Sequence, residues 1–156
     1  LLYHLNGTLM GRGKVTILGV PVEKNSLKEI RKKVGLVFQS PEDQLFCPTV
    51  FDDVAFGPLN MGLDEEEIRH RVQKALEMMG LKGFEGRSAH HLSEGEKKRV
   101  ALATVLSMDS EILALDEPTD NLDPAGSRLL VERIRAIPQT KVIVTHHLPV
   151  AFDLCE

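Results

Sequence analysis

Residues 112–124 read Ile-Leu-Ala-Leu-Asp-Glu-Pro-Thr-Asp-Asn-Leu-Asp-Pro, and this stretch limits the possible fold more than any other. The apolar run Ile112–Leu115 meets two adjacent carboxylates, Asp116 and Glu117, and Pro118 then stops it. An apolar run with no polar alternation suits a strand covered on both faces, as in a parallel sheet. Ligands of such sheets sit at the carboxyl ends of the strands. Two acids there suit a metal-phosphate site, one holding Mg²⁺ and the other polarising a water. A bare Asp-Glu pair reads better as a solvated acidic turn. The sequence on either side reverses that preference.

Three further segments read as strands of the same kind. Val34–Phe38 is a buried strand with Gln39 at its end, where the amide can face a metal or an attacking water. Lys141–Thr145 is another, followed by His146 and His147. Adjacent histidines point differently and seldom chelate one metal. One imidazole beside an acid pair can donate to a phosphate oxygen. Val15–Gly19 reads as a strand with a turn behind it. Gly13-Lys14 mimics a phosphate loop, but Thr8 and Val15 stand where that loop needs Gly and Ser or Thr.

Helices fill the spaces between. Leu1, Leu2, Leu5 and Leu9 fit one helical face, with no capping residue before them. Leu27–Lys33 is a short basic helix. Thr49 can cap a helix over 50–56. Asp64 can cap a longer one, with Glu67 completing a capping box and Gly80 ending it. The core face of that helix is Ile68, Val72, Ala75, Leu76 and Met79. Ser93 and Glu96 form a second capping box. The same helix start, with a hydroxyl, a Gly amide and a positive dipole, also suits a phosphate. Asp123 caps a helix with Pro124 in its first turn; Leu130, Ile134 and Ile137 form its buried stripe, and Pro138 ends it.

The loop from Pro41 to Pro48 is rich in Pro and acid but carries Gln44, Leu45 and Phe46. Apolar groups in such a loop read as a docking surface.

Composition narrows the class. The 156 residues make one domain with room for a core, 42% apolar and 27% charged. A net charge of −4 argues against a broad nucleic-acid or anionic-membrane surface. With no Trp and one Tyr, base-stacking platforms are not expected, and no nucleic-acid partner is. Cys47 and Cys155 form no ligand pattern and read as free thiols of a reducing compartment. No stretch approaches the roughly 20 apolar residues of a membrane span. The chain has no initiator Met, opens inside a helical pattern, and stops at Leu154-Cys155-Glu156 without a terminating signal. Both ends are expected to be cut.

Taken together, the motifs resemble the nucleotide-binding domain of ABC ATPases. Gln39 follows a strand, Leu92-Ser93-Glu94-Gly95-Glu96 lies in the middle, and Ile112–Pro118, Asn121–Pro124 and Val144-Thr145-His146 come in order behind. Each is weak alone; all five in this order are specific. The resemblance implies an α/β fold, a P-loop NTPase-type parallel sheet with an inserted helical subdomain at about 41–107 and its N-terminal part missing. Residues 1–156 are then one partial ABC nucleotide-binding domain.

The resemblance also implies roles. Gln39 is the Q-loop glutamine near Mg²⁺ and the attacking water. Asp116 is the Walker B aspartate for Mg²⁺, Glu117 the catalytic glutamate, and His146 the switch histidine. Ser93, Glu94, Gly95 and Glu96 form the signature that caps ATP held by a second ATPase subunit, in a homo- or heterodimer. Asp123 belongs to the D-loop.

Two departures stand out. The family signature has Gly and Gln where this chain has Glu94 and Glu96. Carboxylates facing phosphate are repulsive unless they turn to solvent or to basic neighbours, and Lys97, Lys98 and Arg99 are close enough in sequence to offset them. No Walker A loop occurs in these 156 residues, and the adenine-stacking aromatic is missing with it. These residues alone are therefore expected to bind MgATP poorly and hydrolyse almost none.

Residues 34–58 resemble the cobalt and energy-coupling-factor importers, whose cargo is a vitamin or a metal ion such as cobalt or nickel. This branch implies ATP and Mg²⁺ as cofactors and attachment to the cytoplasmic face of the cell membrane. It also implies a transmembrane coupling subunit contacted through Gln44, Leu45 and Phe46. The alternatives are a truncated, non-catalytic interaction module and an ABC ATPase of DNA repair or translation. The latter would carry coiled-coil insertions or a second cassette.

Overall fold

A parallel sheet of three strands carries the chain: β3 (Val34–Val37), β4 (Ile112–Asp116) and β5 (Thr140–Val144), with β4 in the centre. The computed structural model describes residues 1–155; Glu156, the end of the unterminated C-terminal stretch, lies outside them. The apolar run of β4 is covered on both faces. Leu113 and Leu115 pack into a large cluster with helical residues, while Ala114 packs with Leu2, Ile30, Val34 and Leu36 on the other face. The absence of polar alternation in 112–115 reflects this double burial. Register pairs Val37 with Leu115 and Asp116 with Val144, so the carboxyl ends of all three strands lie level.

The large cluster is built by α3 (Val50–Met61), α4 (Glu65–Met78), α5 (Glu94–Leu106) and α6 (Pro124–Ala136). The smaller one holds α1 (Leu2–Leu5), α2 (Leu27–Lys33) and a two-stranded antiparallel pair, β1 (Thr16–Ile17) and β2 (Val20–Pro21). The chain closes with α7 (Leu148–Leu154).

Several boundaries differ from expectation, each for a local reason. The expected leucine face is cut short. α1 ends at Leu5, Gly7 turns the chain at φ 69°, and the Asn6 side chain accepts from Thr8 N. Leu2 is buried, but Leu1 and Leu9 are 83% and 53% exposed. The single strand expected over 15–19 is a hairpin, turning at Leu18 and Gly19 with positive φ at both, as a two-residue hairpin turn demands. Glu67 does not complete a capping box. Asp64 accepts from Glu67 N, but the Glu67 carboxylate takes the Arg71 Nε instead.

α3 runs five residues beyond the expected Phe56, straight through Gly57-Pro58. Pro58 has no N–H to give to Val54 O, which would leave a buried acceptor bare. The buried Ser107 hydroxyl donates to Val54 O at 2.7 Å and replaces that bond from α5. Ser107→Ala is expected to destabilise the fold by about 1–3 kcal/mol, the cost of orphaning a buried carbonyl. Chemical denaturation checks this, and a change within error would mean that water serves Val54 instead.

Candidate functional site

The level strand ends of the parallel sheet gather Gln39, Asp116, Glu117 and His146 from three separate stretches. Glu117 sits immediately beyond β4 with φ 42°, a left-handed conformation unusual for a residue with a Cβ. Its N–H donates to Val144 O at 2.9 Å, and its C=O accepts from Asp120 N at 3.1 Å. Its Oε1 accepts from His146 N at 2.8 Å and lies 2.9 Å from His146 Nδ1. Burial pushes the Glu117 carboxyl up, but hydrogen bonds from His146 and Thr145 outweigh it and hold it below its ordinary value. The same pair raises the His146 imidazole, chiefly through the Glu117 hydrogen bond.

Gln39 donates its side-chain amide to Asp120 Oδ2 at 3.0 Å. Its side-chain oxygen is not used by that bond. Asp116 is half-buried at the end of β4. Burial and then the neighbouring Asp116 carboxylate push the Tyr3 phenol up. Two clefts border the group. One, of about 550 Å³, is lined by Glu117, Asp120, Asn121, Arg128, His146 and His147. The other, of about 390 Å³, is lined by Gln39, Ser40, Glu42, Glu94 and Asn121.

The second capping box does form. Ser93 Oγ accepts from Glu96 N, while Ser93 N and Oγ each donate to Glu96 Oε2 at 2.8 Å. The bond from the Ser93 backbone is the main cause that holds the Glu96 carboxyl below its ordinary value. Glu96 is thus answered by its own helix start. Lys97 does not serve it; its Nζ meets Glu42 at 2.7 Å, and that bond lowers the Glu42 carboxyl to about 2. Lys98 instead turns inward to main-chain oxygens. Glu94 borders the same cleft as Gln39, and Gly95 follows it in the first turn of α5. Among the described residues, no hydrogen bond joins Ser93 or Glu96 to Asp116, Glu117 or His146. Asp123 caps α6, accepting from Gly126 N at 2.9 Å.

The expected docking surface is only partly at the surface. Leu45 is 7% exposed and belongs to the large core cluster. Gln44 is an internal clamp: its Oε1 accepts from Phe38 N, and its amide donates to Ala101 O and Thr104 Oγ1. Phe46 alone of the three faces solvent, stacked edge-on against the exposed Phe56 at 5.1 Å between centroids.

No group of three or more His, Cys, Asp or Glu side chains able to hold a metal ion occurs among the described residues. The strand ends still offer hard oxygen donors, the Asp116 carboxylate and the Gln39 side-chain carbonyl. That donor set fits Mg²⁺, which keeps several waters and takes its remaining ligands from one or two side chains and substrate phosphates.

Sequence reasoning misses Tyr3, Lys98 and Asp120. Tyr3 reads as one more helix residue and Lys98 as one of three basic neighbours. Asp120 does carry a signal, as a second acid in the turn that follows the Asp-Glu pair.

Comparison with known proteins gives a consistent picture. A family model described as ABC transporter matches residues 1–120. An ABC transporter ATP-binding protein of Streptomyces avermitilis is 54% identical over 156 residues, covering 99% of this chain and 60% of its own length. The energy-coupling factor transporter ATP-binding protein EcfA1 of Methanospirillum hungatei is 49% identical over 161 residues, covering 100% of this chain and 58% of its own length. Among solved structures, cbiO1 of Clostridium perfringens, part of the ABC transporter complex cbiONQ, is similar with a TM-score of 0.84 at 37% identity. That match covers 95% of this chain and 62% of the other. The chain thus spans about 60% of the length of the curated relatives it matches.

Proposed function

The chain belongs to the ABC transporter family of ATP-binding proteins, and from that premise we propose that it is part of the ATP-hydrolysing subunit of an energy-coupling-factor importer. The observation that carries the catalytic part is the junction of Glu117 with His146 at 2.9 Å, beside Asp116 at the level strand ends. Glu117 takes the proton of the attacking water and orients it toward the γ-phosphate of ATP. His146 holds Glu117 in place and presents its other ring nitrogen toward phosphate. Gln39 and Asp116 would hold Mg²⁺, which spreads the charge of the transferring phosphoryl group. Ser93, Glu94, Gly95 and Glu96 are proposed to cap ATP bound by a second ATPase subunit, with Asp123 in the contact between the two. Residues 41–107 act as the helical subdomain that carries this signature.

The membrane partner is proposed to meet the exposed Phe46–Phe56 pair, because Gln44 and Leu45 are committed to the interior. No helix among the described residues is long and apolar enough to cross a membrane. Attachment to the cytoplasmic face through the partner accounts for that. Similarity to EcfA1 and to cbiO1 supports an energy-coupling-factor cargo, a vitamin or a cobalt or nickel ion, selected by a separate membrane subunit.

The test is MgATP hydrolysis by the intact protein and by the 156 residues alone. Turnover is expected from the intact protein and to vanish when EDTA removes Mg²⁺. The 156 residues, which contain no Walker A loop, are expected to show almost none. Binding of the membrane subunit without any turnover by the intact protein would favour the interaction-module reading.

A further inference from the structure

We infer that Lys98 is a positioning residue for the proposed hydrolysis, its ammonium fixing the backbones of Glu117 and Gln39 against the start of α5. The inference rests on the ATPase reading above. Lys98 is only 5% exposed, an environment that is costly for a charge unless hydrogen bonds answer it. Its partners are main-chain oxygens rather than carboxylates. Nζ donates to Gln39 O at 2.9 Å and approaches Glu117 O at 3.4 Å. Among the described residues it makes no ion pair. Burial disfavours its charge and lowers its pKa, and the acids Glu94, Asp120, Glu42 and Glu117 at longer range offset only part of that.

These two oxygens belong to the residues that follow β3 and β4. One ammonium therefore links both strand ends to the helix that begins at Ser93. The Glu117 backbone is the strained one, at φ 42°. Such a conformation persists only where its surroundings over-determine it. Val144 holds the Glu117 N–H from β5, and Asp120 N holds its C=O from within the turn. Lys98 supplies the restraint from the helical side. Rotation of the Glu117 peptide would swing its carboxylate away from His146. A displacement of about 1 Å in a positioned general base is enough to cost a large part of its rate.

The test uses the intact protein with Lys98→Met, Lys98→Arg and Glu117→Gln. MgATP binding is measured first, and then single-turnover hydrolysis of the ATP that is bound. Lys98→Met is expected to bind MgATP as the wild type does and to hydrolyse it about tenfold or more slowly. Lys98→Arg, which keeps charge and donors, is expected to stay within about threefold of wild type. A wild-type rate for Lys98→Met overturns the inference. So does lost MgATP binding with an unchanged rate in the fraction that still binds. If Lys98→Met does not fold, Lys98→Gln decides by the same readout: slowed chemistry in folded protein supports positioning, and a wild-type rate overturns it. Inactive wild-type protein, no different from Glu117→Gln, would overturn the ATPase reading and this inference together. An active wild type, an inactive Glu117→Gln and an unimpaired Lys98→Met would overturn this inference alone.

Discussion

Glu117→Gln in the intact protein is expected to lower ATP turnover by about 10²–10⁴-fold, the contribution of a positioned general base, while leaving MgATP binding intact. Gln keeps the size and the acceptor oxygen, so the bond from His146 N survives. What it loses is the negative charge and the ability to take a proton from water. The carboxylate suits a general base. Its side chain is 14% exposed, and it is ionised through the physiological range because its pKa lies below the ordinary value. Retained turnover would remove Glu117 from its role and leave the strand-end cluster without a base.

The same variant carries a second signature. The His146 imidazole is raised above its ordinary value mainly by the Glu117 hydrogen bond, then by the Glu117 charge. In Glu117→Gln its titration, followed by NMR, is expected to fall back toward the ordinary histidine value of about 6.5. The sign follows from linkage. A histidine raised on folding adds stability that is complete below its unfolded pKa and is lost as pH rises through its folded one. The wild-type pair therefore loosens as pH rises through the raised His146 pKa, and the variant, which keeps only the weaker pull of Asp120, shows less of this dependence. An unshifted His146 would mean that the pair does not form in solution.

The parts of this chain that are legible from sequence are those whose burial comes from neighbours close in register. Residues 112–115 and 34–38 read as covered strands because nothing polar interrupts them, and β4 and β3 form there, β3 ending one residue early at Val37. The level placement of Gln39, Asp116, Glu117 and His146 follows from parallel pairing, which brings the carboxyl ends of strands together whatever the sequence between them. The misread positions depend on partners far along the chain. Gln44 and Leu45 look like surface in an acidic loop. Only the arrival of Ala101 and Thr104 from α5 turns Gln44 inward. The helix expected over 50–56 continues through Gly57-Pro58 because the hydroxyl that serves the freed Val54 carbonyl comes from Ser107, far along the chain. Lys98 reads as one of three basic neighbours of Glu94 and Glu96 because its actual acceptors are carbonyls, which every residue has and no pattern marks. The Glu67 carboxylate has two partners within reach, and the charged Arg71 prevails over a backbone amide.

Leu115→Ala tests the frame beneath the site and is the largest stability effect expected from a single truncation here, about 2–5 kcal/mol. Leu115 is fully buried, lies in the central strand, and packs into the cluster that joins the sheet to α3–α6. Neighbouring strands hold its backbone on both sides through Val37 and Ile143, so the cavity cannot collapse by moving β4. At about 2–4 °C per kcal/mol for a chain of this size, the melting temperature should fall by roughly 4–20 °C. Leu115 directly precedes Asp116 and Glu117, so lost packing under it also frees the strand end that aims both carboxylates. Turnover measured well below the variant's melting point is therefore expected to fall as well, whereas ordinary core truncations far from the strand ends should spare it. A loss below about 1 kcal/mol by denaturant titration would mean that the strand repacks, and that the rigidity assigned to the site comes from the turn at Glu117 rather than from the core below it.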